Sequence, residues 1–341
     1  LTGSTLPVTV AAVHSEPTAG RPSPAQDPLA RLVPSVGAAF DRLQADVWAM
    51  ASSDRLALVD RRIAQLLGDG TTPFSAPAGC PDLSEGQMAD LSLWPSSPQF
   101  RDDERACLGF AEQFVIDVAG VDEQLRGELA SALGPSGVLD FVVALFALDY
   151  GRRVAMVLAA LFPDDPRPGS GRVGGGRPAD GTGGPVDGMA LLGAFDELSR
   201  AVALLDAVDP VTTELVRLRG ARQHNCRLCQ STRSVRALEA GADETLFDTT
   251  ERYEDSDLAE HQVVALRLCD AIITGPGSVG SVLADQVHRW FTPVQVVELV
   301  MDVMRNSGQK IAVALAADEP HVTSGIERFE ITSRGDVEYL V

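Results

Sequence analysis

Residues 214–233 read ELVRLRGARQHNCRLCQSTR. Cys226 and Cys229 stand one helical turn apart behind an arginine-rich run, and Glu214 lies at the head of that run. The Gln-His-Asn triplet at 223–225 ends the run. Asn225 then reads as the N-cap of a following helix, with Cys226 at its first position and Cys229 on the same side. Unsatisfied backbone N–H groups and the helix dipole favour a thiolate there. Arg222, Arg227 and Arg233 add positive charge to the same stretch. Three readings stand: a redox pair, half of a zinc site, or two thiols packed in a core. Zinc asks for about four ligands. No second CxxC exists, and the nearest histidines, His224 and His261, form no second pair. No metal or other cofactor is therefore expected. Cys107 and Cys269 fall on apolar helical faces, where packing accounts for them, and Cys80 falls in a Pro/Gly loop.

Moving outward, both flanks read as helical. Asp209-Pro210 has the form of an N-cap followed by proline at the first helical position. Thr292-Pro293-Val294-Gln295 adds a capping box to the same signal. The helix it opens is expected to run to about Leu315, with Val296, Val297, Val300, Val303 and Met304 at helical spacing. An earlier helix carries Ala259, Val263, Leu266, Cys269 and Ile273 on one face. The C-terminus differs: IERFEI and VEYLV alternate across SRGD, which predicts a short terminal β-hairpin.

Residues 1–27 lack any period and read as disordered. Residues 163–188, PDDPRPGSGRVGGGRPADGTGGPVDG, read as a Gly/Pro linker. Two helical halves remain, 28–162 and 189–341. They resemble each other. The stretch from RACLGF to VLAAL in the first lies on QVVALR to VALAA in the second at a near-constant offset, and ALVDRRIAQLLGD lies on ELVRLRGARQHNC. Such a match predicts an internal duplication of a helical unit. The second copy alone has the CxxC.

Composition narrows the functions. The chain has 341 residues, 45% hydrophobic and 22% charged, and a formal net charge of −20. Such a charge repels phosphate backbones and anionic membrane surfaces, so neither nucleic acid nor membrane is an expected partner. Five cysteines are too few and too uneven for a secreted disulfide framework. The N-terminus lacks the basic region of a signal peptide, and no uninterrupted apolar run reaches a membrane span. A cytoplasmic setting is expected.

Glu214, the helix carrying Leu218-Arg-Gly-Ala-Arg222, and Cys226-Arg-Leu-Cys229 resemble the carboxymuconolactone decarboxylase / AhpD-like alkylhydroperoxidase family. The downstream helices, ending in the Val-rich run to Met304 and Asn306, follow a similar order. The resemblance covers most of 195–318 and, in degenerate form without the cysteine pair, about 40–160. It implies an all-α fold of two tandem AhpD-like domains, and a homo-oligomer. In the family's redox branch a CxxC pair reduces hydroperoxides through an internal disulfide, and a glutamate at the spacing of Glu214 shares a proton relay with a histidine. Here Arg233 occupies the relay histidine's place, and Leu228 replaces a second histidine. Arginine stays charged and relays no proton near neutral pH, though it can hold a thiolate, and His224 is the candidate substitute. The lactone decarboxylase branch needs no CxxC, so the pair favours redox chemistry.

The expected activity is a thiol-dependent hydroperoxide reductase. Its partners are a hydroperoxide and a thiol or dithiol reductant. Cys226, Cys229 and Glu214 are the catalytic candidates, with Arg233 and His224 in support. Helix position points to Cys226 as the lower-pKa thiol, and the family's relay geometry points to Cys229 as the peroxide-reactive one. The alternatives are a redox-sensing or structural module, and a decarboxylase-like enzyme on small acids. Two G-x-G-x-x-G matches, at Gly169–Gly174 and Gly275–Gly280, lack the strand–turn–helix context of a dinucleotide site.

Overall fold

The computed structural model describes residues 26–50, 53–70, 83–169 and 186–340. Residues 1–25 of the segment expected to be disordered, most of the expected linker, the first G-x-G-x-x-G beyond Gly169, and Cys80 lie outside these residues; Asp27 caps the first helix, Pro28–Leu32.

The fold is all-α with one small sheet. The first half contains α1 (Pro28–Leu32), α2 (Pro34–Trp48), α3 (Ser53–Leu67), α4 (Glu85–Asp90), α5 (Asp102–Ile116) and α6 (Glu123–Leu161). In the second half α7 (Gly188–Ala203), α8 (Pro210–Gln223), α9 (Arg227–Gln230), α10 (Val235–Glu239) and α11 (Glu244–Asp248) precede α12 (Glu260–Thr274), α13 (Ser281–Trp290), α14 (Pro293–Ser307) and α15 (Lys310–Ala314). The long helices run α2, α3, α5 and α6 in the first half and α7, α8, α12, α13 and α14 in the second. A short 3₁₀ turn follows both α5 and α12. The second turn covers Pro276–Ser278, so the second glycine motif is a helix-to-helix loop with no strand before it.

The caps explain where the helices start. Asp209 accepts from the N–H groups of Val211 and Thr212 and opens α8 with Pro210. Thr292 and Gln295 close a capping box at α14. α6 is two helices joined at a kink. Gly134 sits at φ 74° and ψ 164°, a region that admits essentially only glycine, and Pro135 follows it. By length and apolar composition α6 could cross a membrane. Its second segment instead runs through the protein core, where nearly every residue from Phe141 to Leu158 is buried.

Two details correct the sequence reading. The last long helix breaks early: α14 stops at Ser307, and α15 restarts at Lys310. Gly308 at the break packs against Phe195, and a Cβ there would come within 2.4 Å of that ring. Ala259 is the exposed N-cap of α12 and lies off its buried face, while Leu266, Cys269 and Ile273 are buried as expected.

One hydrophobic core passes through both halves. α2 packs along α7, and α6 packs on α7, α14 and α15. Buried charge marks this junction. Arg153 donates to Asp149 Oδ1 at 2.6 Å and to the carbonyls of Val115, Ile272 and Ile273, closing the C-terminal ends of α5 and α12. Lys310 Nζ meets Asp149 Oδ2 at 3.0 Å and lies over the Phe114 and Tyr150 rings. Burial lowers the Lys310 ammonium to about 8.

The terminal hairpin forms as expected, with β2 (Glu327–Ile331) antiparallel to β3 (Val337–Leu340). It does not stand alone. β1 (Thr232–Ser234), directly after the second cysteine, pairs parallel with β2. The hairpin is thereby fastened beside the CxxC.

Candidate functional site

Cys226 is itself the N-cap, one residue earlier in role than the sequence suggests. Its Sγ accepts the Cys229 backbone N–H at 3.2 Å. Asn225 takes a left-handed conformation, φ 48°, and supplies the turn between α8 and α9. The carboxylate of Asp318 holds the Arg227 N–H at 2.9 Å, and the Asp318 carbonyl accepts the Leu228 N–H at 3.0 Å. The CxxC turn is thus clamped from the segment after α15.

Cys229 is the side-chain neighbour of Cys226 and lowers its pKa, together with the Cys229 N–H at 3.2 Å and the charge of Arg217, against the cost of burial. The neighbouring Cys226, and then burial, push Cys229 up. Of the two, Cys226 is the one favoured as thiolate. Cys107 and Cys269 are buried, and burial pushes Cys107 up to about 12 and Cys269 upward as well. They belong to the core.

The supporting residues sit differently from expectation. Both carboxylate oxygens of Glu214 bind Arg217 at 2.7 Å, and Oε1 also accepts the Ser234 N–H at 3.1 Å. Glu214 is buried in this pair and, among the described residues, bonds to neither sulfur. Arg217, three residues on, reaches the site instead: it donates to the Cys229 carbonyl at 2.9 Å and the Thr232 carbonyl at 2.7 Å, and packs over Phe329. Arg233 turns away. It pairs with Glu244 at 2.8 Å, donates to the carbonyls of Gln230 and Thr232, and covers Phe247. The expected thiolate-holding role therefore passes from Arg233 to Arg217. Arg222 and Arg227 are likewise engaged elsewhere, with Phe247 and Thr250 and with Asp318.

His224 is buried, not a surface residue. Its Nε2 lies 3.1 Å from the Tyr150 hydroxyl and 3.0 Å from Ser307 Oγ. Burial, with the charges of Lys310 and Arg153, lowers its pKa well below the ordinary value. It is a neutral imidazole at the junction of the halves.

A cavity of about 460 Å³ brings the pieces together. Cys226, Cys229, His224 and Arg217 line it, with Phe195 from α7, Arg305 and Asn306 from α14, and Phe329 and Tyr339 from the hairpin. Cys226 is 1% exposed, so its sulfur is approached from this cavity. The sequence reading lacked Arg217, Arg305 and the hairpin aromatics. Arg217 was findable: it stands three positions after Glu214, on the same helical face. A three-residue strand such as β1 carries no comparable signal.

No family model matches the chain, and no solved structure matches it. Two proteins of Mycobacterium tuberculosis do: uncharacterized protein MT2376 of strain CDC 1551 / Oshkosh and uncharacterized protein Rv2313c of strain ATCC 25618 / H37Rv. Each is 39% identical over 251 residues, which are 72% of this chain and 82% of the relative. The chain belongs to the family of these two mycobacterial proteins.

Proposed function

We propose that the protein is a thiol-dependent hydroperoxide reductase acting through Cys226 and Cys229, as its resemblance to the AhpD-like alkylhydroperoxidases implies. The observation that carries this reading is the thiol pair itself: Cys226, favoured as thiolate by Cys229 and its N–H, lines a cavity of about 460 Å³ together with Cys229.

The Cys226 thiolate attacks the terminal oxygen of a hydroperoxide. The O–O bond breaks, the alkoxide takes a proton and leaves as the alcohol, and Cys226 becomes a sulfenic acid. Cys229 then gives up its proton and attacks the Cys226 sulfur. The S–S bond forms and water leaves. An external dithiol reduces the disulfide and restores both thiols. Arg217 stabilises the negative charge at each step without moving a proton. The cavity admits a small organic hydroperoxide and excludes a large one.

A redox sensor on the same fold is the second reading. Its support is that Glu214 is tied to Arg217 and His224 is buried and neutral, so neither stands as a free base at the sulfurs. Steady-state consumption of cumene hydroperoxide with dithiothreitol as reductant tests the enzyme reading. Turnover lost in both Cys226→Ser and Cys229→Ser supports it. Wild-type turnover no faster than free dithiothreitol contradicts it and favours the sensor.

A further inference from the structure

Arg305 is the group in this cavity that the thiol chemistry leaves unused. It sits in the last turn of α14 and lines the cavity wall. Its one hydrogen bond among the described residues goes to Asn306 Oδ1, at 3.4 Å. No carboxylate lies within ion-pair distance of it among those residues. Asp302, one turn back on α14, is the nearest negative charge to act on it, and burial raises that carboxyl to about 7. Arg217, the other guanidinium in the wall, is spent on Glu214 and two carbonyls. Asn306 adds a second unused donor: its Nδ2 is buried and has no hydrogen-bond partner. A guanidinium and an amide N–H side by side, both short of acceptors, make an anion-shaped vacancy in the hydrogen bonding. Unpaired buried groups of this kind are costly unless a ligand completes them.

Leu192, Phe195, Leu228, Ile311, Leu315 and Phe329 supply the apolar wall, with the neutral polar groups of Ser199, Thr232 and Gln309 between them. Asp196 is the carboxylate in the lining, and it is exposed. Tyr339 closes the side formed by the hairpin. Apolar walls with one convergent polar corner suit an amphipathic ligand. The planar fork of arginine matches a carboxylate in two parallel bonds. A doubly charged phosphate asks for a second free cation, and Arg217 is already held by Glu214.

We propose that the cavity binds a small organic acid whose carboxylate sits on Arg305 and Asn306 Nδ2 and whose apolar body faces Cys226 and Cys229. This deepens the reductase reading by naming its substrate class, a carboxylate-bearing hydroperoxide, and rests on that reading only in calling the ligand a substrate. Binding itself needs no thiol.

Calorimetric titration with octanoate, methyl octanoate and octyl phosphate tests it, on the full chain and on the Cys226→Ser/Cys229→Ser protein. Octanoate is expected to bind both proteins at least about tenfold more tightly than the ester, since a hydrogen bond to a charged group is at stake. Arg305→Met is expected to abolish the acid-over-ester preference, and Arg305→Lys to keep part of it. Equal binding of acid and ester to the wild type, no binding of octanoate at millimolar concentration, or tighter binding of octyl phosphate overturns the proposal. The wild-type comparison decides the matter even where Arg305→Met fails to fold. Acid binding that survives loss of both thiols supports the anchor whatever the peroxide assay gives. Equal binding of acid and ester to the Cys226→Ser/Cys229→Ser protein overturns it even where the wild-type thiols react.

Discussion

Glu214→Gln separates a proton-relay role from the role the structure gives this residue. Glutamine keeps the size and an oxygen for the Ser234 N–H, but removes the charge that Arg217 meets at 2.7 Å with both nitrogens. Arg217 is left buried without its counter-ion. Breaking a buried pair in this way costs about 3–5 kcal/mol. The low end is expected, because Arg217 keeps the Cys229 and Thr232 carbonyls and the Phe329 ring. The thiols respond in the opposite direction. Arg217 is the cation that favours the Cys226 thiolate, and Glu214 neutralises it. Removing the glutamate charge leaves Arg217 as a net positive charge and is expected to raise the thiolate population at acidic pH by about tenfold, or about one pKa unit. The assays are urea unfolding and the pH profile of iodoacetamide alkylation, read by peptide mass. Glu214→Gln is expected to be less stable and to alkylate faster at low pH. Slower alkylation with unchanged stability refutes the ion-pair account and returns Glu214 to a base.

Other substitutions probe the frame around the site. Asp302 is raised from an ordinary carboxyl to about 7 by burial, so the folded state holds its proton longer than the unfolded state. Stability therefore falls as pH rises from about 4 to 7, by at most about 4 kcal/mol from this group. Asp302→Asn removes that slope, and urea midpoints at pH 5 and pH 8 show it; an unchanged slope contradicts the assignment. Asp149→Asn leaves Arg153 and Lys310 buried without their shared carboxylate, and calorimetric unfolding is expected to show a loss of about 3–5 kcal/mol. Gly308→Ala drives a methyl into Phe195 and costs about 1–3 kcal/mol in urea unfolding. Since Phe195 also lines the cavity, octanoate affinity falls in the same variant.

Local signals carried the sequence reading furthest. Asp209-Pro210, the Thr292–Gln295 box and the alternation in the terminal hairpin act within a few residues, and each appears where it was expected. What failed were the long-range partners. Arg233 looked like the thiolate's cation because it is near in sequence. Glu244 and Phe247, on the next helix, claim it instead. His224 looked like a substitute relay base because it stands two residues before Cys226. Tyr150 from the other half and Ser307 bury it. The end of α14 was misread because Val, Ile and Ala keep helical spacing across Gly308. The break is set by close packing against Phe195 on α7, which no local pattern encodes. The sequence alignment of the halves lays Asp69 on Cys226, and in the structure Asp69 and Asp60 hold the fully buried Arg152 at 2.7 Å.

The central claim is that Cys226 is the reacting thiolate and Cys229 its resolving partner. Its most direct test is stopped-flow mixing of the reduced protein with one equivalent of an organic hydroperoxide, quenched into intact-mass and peptide analysis. The account predicts rapid formation of a Cys226–Cys229 disulfide, a sulfenic acid trapped on Cys226 in Cys229→Ser, and no fast phase in Cys226→Ser. A sulfenic acid trapped on Cys229 in Cys226→Ser, or thiols that react no faster than free cysteine, contradicts it.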